Sequence, residues 1–146
     1  MAEDAQYLRI DLAGSPFLLA SRTDLVIEQR ENLTVDEGGG AIRAWRLSGL
    51  DRWPAIGLDH SLQPLAGDSW RQAVFFGFGP YPVGLVVDDV QVLTQSVGVE
   101  RFTPLGPAPT GSGHLFSGIW IHDGQIVLRF EADALAIFLR ELEARQ

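Results

Sequence analysis

Val83-Gly84-Leu85-Val86-Val87-Asp88-Asp89-Val90 carries the strongest fold signal in the chain. In an extended chain successive side chains point to opposite faces, so Val83, Leu85 and Val87 share one face and Gly84, Val86 and Asp88 the other. Both sets are largely apolar. An antiparallel strand with one wet face carries polar residues at alternate positions, so this strand is predicted to be covered on both sides. One side takes its own core, and the other takes either a second half of the same protein or a partner. Asp88 and Asp89 then close the apolar run. Their side chains would diverge in a continued strand, so a turn or bulge with solvated charges is expected rather than a catalytic carboxylate pair.

Working outward, residues 72–78 form another apolar run, and Gly77 and Gly79 follow like the start of a dinucleotide fingerprint. Pro82 occupies the place of the third glycine and no helical pattern follows, so a turn joining two strands is the better reading. Residues 42–47, 53–58, 90–95, 115–121 and 125–130 are likewise short, rich in β-branched and aromatic residues, and separated by turn residues. That punctuation predicts an all-β barrel or sandwich. Pro54 offers no backbone donor, which places the segment from Trp53 at an edge or makes it begin at Pro54. At the N-terminal side, Leu8, Ile10 and Leu12 alternate with Tyr7, Arg9 and Asp11. Ala13-Gly14-Ser15-Pro16 then turns the chain into 17–20, a hairpin. Residues 24–29 fit a strand or a short helical turn, 36–40 a loose acidic, glycine-rich loop, and 103–113, with three prolines and three glycines, a connector. Asp123-Gly124 between two apolar runs is a hairpin signal. The end alone reads as a helix. Leu135, Phe138, Leu139 and Leu142 lie on one face, with Glu131 and Asp133 at its start and Arg140 and Arg145 near its end.

Composition narrows the function. A chain of 146 residues is the size of one domain, with enough surface buried to need no staples. A net charge of −8 opposes binding that works by neutralising phosphates or anionic lipid, so neither nucleic acid nor a membrane surface is an expected partner. No apolar run reaches the ~20 residues that span a bilayer, and Met1-Ala2-Glu3-Asp4 lacks a basic export region, so a cytoplasmic protein is expected. There is no cysteine, and all eleven basic residues are arginine. Disulfides, thiolate metal sites, a phosphate-loop lysine and a Schiff-base lysine are thereby excluded.

Chemistry-bearing patterns are sparse. His60, His114 and His122 lack a second ligand at helical spacing, and the adjacent pairs Asp59-His60 and His122-Asp123 could not jointly grip an ion from a strand. Gly111-Ser112-Gly113 lies in the proline-rich connector rather than between a strand and a helix, so it is no nucleophile elbow. Asn32-Leu33-Thr34 matches a glycosylation pattern that has no meaning without export. Trp45, Trp53, Trp70 and Trp120 are expected in cores, with one or two at a contact surface.

Residues 72–95 and 114–139 together resemble the CheW-like domain. In that family a strand ending in glycine precedes one that reads valine, glycine, aliphatic residues, aspartate, any residue, valine, matched here by 73–79 followed by Val83 to Val90. Farther on, a glycine-containing strand, a turn and an aliphatic strand lead into the last helix, matched by 115–121, Asp123-Gly124 and 125–130. Residues 8–12 with 17–19 resemble the opening hairpin, and 25–28 the piece after it. One departure stands out. The family's Leu-Arg-Gly element before the proline and its Asp-Leu after it are replaced by Ser48-Gly49-Leu50 and Gly57-Leu58, so an arginine associated with receptor and kinase coupling is missing.

The resemblance implies two small SH3-like β-barrel subdomains packed side by side with a C-terminal α-helix, divided at about 18–70 and at 1–17 plus 71–146 of a single domain. It implies a non-enzymatic adaptor of bacterial chemotaxis or twitching-motility signalling, without cofactor or metal. Its partners would be the regulatory domain of a CheA-type histidine kinase, the cytoplasmic tip of chemoreceptors and other CheW-like proteins, and its partner-binding set Val83, Leu85, Val86, Val87 and Asp88. Two alternatives stay open: a diverged scaffold that has lost receptor coupling, and a small hydrolase or ligand-binding barrel whose site is assembled from residues distant in sequence.

Overall fold

Alternation and turn chemistry translate directly into strands. The computed structural model describes residues 6–22, 24–64, 67, 69–77, 82–95, 97–102, 104, 106–107 and 114–145. The elements in order are β1 (Tyr7–Leu12), β2 (Ser15–Ala20), β3 (Leu25–Gln29), a 3-10 turn (Arg30–Asn32), β4 (Thr34–Val35), β5 (Ile42–Ser48) and β6 (Asp51–Gly57). They continue with β7 (Gln72–Phe76), β8 (Val83–Val87), β9 (Asp89–Val92), β10 (Glu100–Arg101), β11 (Phe116–His122), β12 (Gln125–Phe130) and α1 (Ala132–Ala144). Both predicted hairpins close through two left-handed residues, Ala13-Gly14 with φ of 49° and 86° and Asp123-Gly124 with φ of 50° and 74°. Such turns match the right-handed twist of the strands they join. Residues 24–29 resolve into β3, with the helical tendency displaced into the 3-10 turn that follows. Most of the connector 103–113, including Gly111-Ser112-Gly113, and the turn residues Phe78 and Gly79 lie outside the described residues.

The strands form two six-stranded sheets. The terminal sheet, built from both ends of the chain, has the order β10-β11-β12-β2-β1-β9, and the central sheet has the order β3-β7-β8-β6-β5-β4. The two do not divide the chain at 17 and 70. The chain changes sheet between the end of β2 at Ala20 and the start of β3 at Leu25, and again at Asp88, so β7 and β8 belong with β3 to β6, and all of β2 belongs to the terminal sheet. Hydrogen bonding sets this division, through two parallel pairings between strands distant in sequence, β6 with β8 and β12 with β2. Pro54, expected at an edge or at the start of its strand, sits within an inner strand that begins at Asp51. It precedes the β6–β8 ladder, which begins at Ala55↔Gly84, so it stands where no β8 residue is paired with it.

Each sheet curls around its own small core. Tyr7, Leu18 and Val127 cluster with Leu93, Val97, Val99 and Trp120, drawing together the edge regions of the terminal sheet into a barrel. Ala44, Ala55, Trp70, Ala73, Phe75 and Val86 do the same for the central sheet, with Val26, Leu33 and Trp53 packed against them. The largest core lies between the barrels. There Ile10, Leu12, Phe17, Leu19 and Phe130 meet Ile56, Val74, Phe76, Val83, Leu85 and Val87, with Leu135, Leu139 and Leu142 of α1 in the same cluster. Phe138 packs against it from a half-buried position. The all-β architecture of paired barrels with a C-terminal helix is thus observed, and the helix docks on β6 and β8 as its apolar stripe requires.

Gly84 shows why β8 carries glycine at its centre. A Cβ there would lie 2.5 Å from Phe75 Cδ1, so the barrel interior closes only over a residue without a side chain. Among the described residues no helix is long and apolar enough to cross a membrane.

Candidate docking surfaces

Four of the five residues of the predicted partner-binding set are internal. Val83, Leu85 and Val87 fill the core between the barrels and Val86 the core of the central barrel, with Leu85 0% and Val86 5% exposed. The strand is covered on both faces, as its two apolar faces required, but by the protein's own halves, so these side chains offer nothing for a partner of the folded chain to touch. Asp88 is the residue at which the chain passes from one sheet to the other. Its N–H donates to Asp11 O at 2.8 Å, and its carboxylate accepts the Gly14 N–H at 3.4 Å. The aspartate pair therefore serves the crossover, with Asp89 opening β9.

The surface that sequence reasoning missed is the continuation of the inter-barrel face into solvent. On β12, Phe130, Leu128 and Ile126 share one face. Phe130 is buried between the barrels, Leu128 is half-buried against that core, and Ile126 is 66% exposed. Its cross-strand partner Ile121 is 67% exposed. The apolar stripe thus runs past the end of the central barrel's cover. Beside it a groove of about 380 Å³ lies on the seam, lined by Pro16, Phe17, Phe116, Ile126 and Leu128 of the terminal barrel and by His60 to Leu62 of the central one. Its floor is a ring cluster, with Phe17, Phe116 and Phe130 centroids 4.9 to 5.9 Å apart.

The opposite wall is held rigidly. Asp59 Oδ1 accepts the N–H groups of Ser61 at 2.8 Å and Gln63 at 3.0 Å, and this turn drives Leu62 to a φ of 64°. A leucine in that region is uncommon and costs about 1 kcal/mol or more, so the turn over-determines the loop that walls the groove. The signal in the sequence was the apolar pair Ile121 and Ile126 flanking a polar hairpin turn, where exposed strand ends normally carry polar residues.

A second exposed patch occupies the outer face of the central barrel. Trp45 on β5 carries the Arg52 guanidinium over its ring at 4.5 Å and donates its Nε1–H to Asp36 Oδ2 at 2.9 Å. The Gly38 N–H also donates to Asp36, at 2.8 Å, and Arg43 reaches back to the Gly38 and Gly40 carbonyls, so the 36–40 loop is tied down rather than loose. Those hydrogen bonds, from Trp45 first and then Gly38, hold the Asp36 carboxyl below the usual carboxylate range. At the β5–β6 hairpin tip, Leu50 is fully exposed beside Gly49 at a φ of 64°. Of the four tryptophans, Trp70 is buried under Arg30, which stacks on it at 4.3 Å, while Trp45, Trp53 and Trp120 are half-buried.

Residues of potential chemistry remain scattered. His60 is on the groove rim and His122 at a hairpin end, where it stacks on Trp120 at 4.3 Å and meets Asp123 at 3.3 Å because Asp123 has left the strand. Among the described residues no group of three or more His, Cys, Asp or Glu is placed to hold a metal ion.

No protein-family model matches the chain, and no curated protein matches it in sequence. A solved structure does match in fold: the scaffolding protein TtCheW from Thermoanaerobacter tengcongensis superposes with a TM-score of 0.55 at 14% identity, covering 90% of this chain and 86% of that one. The paired-barrel architecture here is therefore the CheW fold.

Proposed function

We propose that this chain, which has the fold of a CheW scaffolding protein, works as a docking adaptor in bacterial chemosensory signalling and performs no chemistry of its own. The observation that carries this reading is the extent of the likeness, an entire paired-barrel fold rather than one motif. The partners fitting such an adaptor are the regulatory domain of a CheA-type histidine kinase, the cytoplasmic tip of a chemoreceptor, and other CheW-like proteins, in the cytoplasm. The docking site is the seam groove with the exposed Ile121 beside it, where Ile126, Phe17 and Phe116 line the apolar centre that interfaces need. The replacement of the family's Leu-Arg-Gly element by Ser48-Gly49-Leu50 at the β5–β6 tip, where Leu50 is fully exposed, favours a second reading in which the scaffold has lost receptor coupling and keeps the kinase.

Co-purification of the chain with the cognate kinase regulatory domain and, separately, with a receptor-tip fragment tests both readings. The double variant Ile121→Glu, Ile126→Glu is expected to abolish capture while leaving the melting curve unchanged, since both side chains are already largely in water. Leu85→Glu and Val86→Glu are both expected to unfold the protein, because each would bury an unpaired carboxylate in a closed core. Capture by the kinase alone supports the uncoupled scaffold. No capture by either fragment, or undiminished capture by the double variant, refutes the adaptor role or the groove, respectively.

A further inference from the structure

The terminal barrel holds an arginine in its interior. Arg129 lies on the same face of β12 as Val127, a member of that barrel's core, and its guanidinium sits over the Tyr7 ring at 5.9 Å. The residue is only 8% exposed, and two of its nitrogens, Nε and Nη1, are buried without a hydrogen-bond partner. Its third nitrogen, Nη2, is 3.9 Å from Glu131 Oε2, too far for a hydrogen bond, and that carboxylate oxygen already accepts the Ser117 hydroxyl at 2.7 Å. Unfilled donors on a buried cation are destabilising, and an aliphatic residue would fill this space without that cost. The guanidinium is thus buried with two donors unfilled and its carboxylate neighbour beyond hydrogen-bond reach, which points to an acceptor from outside the chain.

The barrel is open where that acceptor would enter. A cavity of about 370 Å³ at its mouth is lined by Arg101, Phe102, Ser117, Arg129 and Glu131. Local backbone irregularity builds it. Phe116 pairs with Phe130 and Gly118 with Arg129, so Ser117 is the extra residue of a bulge. A Cβ at Gly118 would lie 2.7 Å from Val99 Cγ1 and 3.1 Å from Glu100 O, so glycine lets β10 and Val99 close over β11 beside the arginine stem. Arg101 and Arg129 both line this mouth, in a chain of net charge −8. We propose that this mouth is a binding site for a small monoanionic carboxylate. The ligand's carboxylate takes the place of Glu131, which swings outward, and the Arg129 guanidinium turns toward the mouth to donate a bidentate pair of hydrogen bonds. Phe102, partly exposed on the rim, supplies an apolar wall for the rest of the ligand. The site is separate from the seam groove and does not rest on the adaptor reading.

Titration of the full chain with benzoate and acetate, followed through the arginine Nε–H signals by NMR and through heat by calorimetry, tests this. A saturable shift of the Arg129 Nε–H signal is expected, with a Kd of roughly 1 mM, the scale of one bidentate contact in a solvent-open site, and benzoate binding more tightly than acetate. Glu131→Gln, which removes the competing charge, should tighten binding several-fold, and Arg129→Met should abolish it. If Arg129→Met does not fold, weakening by Arg101→Gln together with tightening by Glu131→Gln carries the same conclusion. Absence of saturation with either carboxylate, binding unaffected by these substitutions, or tighter binding of inorganic phosphate at matched ionic strength overturns the proposal.

Discussion

Replacing Leu139 by alanine separates a closed inter-barrel core from a helix merely resting on the surface. Leu139 is 0% exposed and belongs to the cluster that joins both barrels to α1. The substitution removes three carbon groups, about 2.4 kcal/mol at ~0.8 kcal/mol each. A cavity term adds to this, because the helix packs on β6 and β8, whose strands are fixed in the sheet and cannot collapse freely toward the gap. The expected loss is therefore about 3–5 kcal/mol, the upper part of the range for buried leucines. In a domain of this size that corresponds to a fall in Tm of roughly 6–20 °C. Urea denaturation followed by tryptophan fluorescence should show a lowered midpoint with an unchanged slope, since the surface exposed on unfolding is the same. Ile126→Ala is the matched control: it removes a similar side chain from a position 66% exposed, and should change stability by no more than about 0.5 kcal/mol. A loss below about 1 kcal/mol for Leu139→Ala, or equal losses for the two variants, would refute the claim that helix and barrels share one core.

Gly84→Ala should destabilise by about 1–3 kcal/mol through overpacking, since the added Cβ would meet the Phe75 ring at 2.5 Å. Phe75→Leu in the same chain should recover part of that loss in a double-mutant cycle, and strict additivity would show that Phe75 is not the obstacle. The depressed Asp36 pKa gives a pH dependence of fixed sign: its contribution to stability is present above the ordinary carboxyl value of 3.8 and is lost as the pH falls through the lower folded value. Following the side-chain carboxyl carbon by NMR, Trp45→Phe should raise the Asp36 pKa because the largest cause of its depression is gone. An unchanged titration would place the cause elsewhere.

The local layer of this structure was legible in the chain because it depends on neighbours in sequence. Asp123-Gly124 between two apolar runs forms its hairpin, the 3.6-residue stripe of Leu135, Leu139 and Leu142 forms its helix, and the two apolar faces around Leu85 and Val86 do mean a strand buried twice. The resemblance to a paired-barrel family rested on the same short patterns, and the fold agrees with it. The groove was legible only in part, through the apolar pair Ile121 and Ile126 beside a polar turn. Ile126 and Phe130 occupy equivalent positions on one strand face, and nothing along β12 tells which end the other barrel covers.

What lies against each face depends on long-range pairing. Period-two alternation states that Val83 and Val86 point opposite ways, but the neighbour on each side is supplied by strands far away in sequence, through the parallel pairings of β6 with β8 and β12 with β2. Those pairings carried the chain's division away from 17 and 70, placed Pro54 in an inner strand, and turned a predicted partner surface into core. They also turned Arg129, one arginine among eleven in the sequence, into a buried cation at a barrel mouth. Alternation is set by the covalent geometry of the chain, and so belongs to the sequence. Burial is set by which distant segments pack together, and so belongs to the fold.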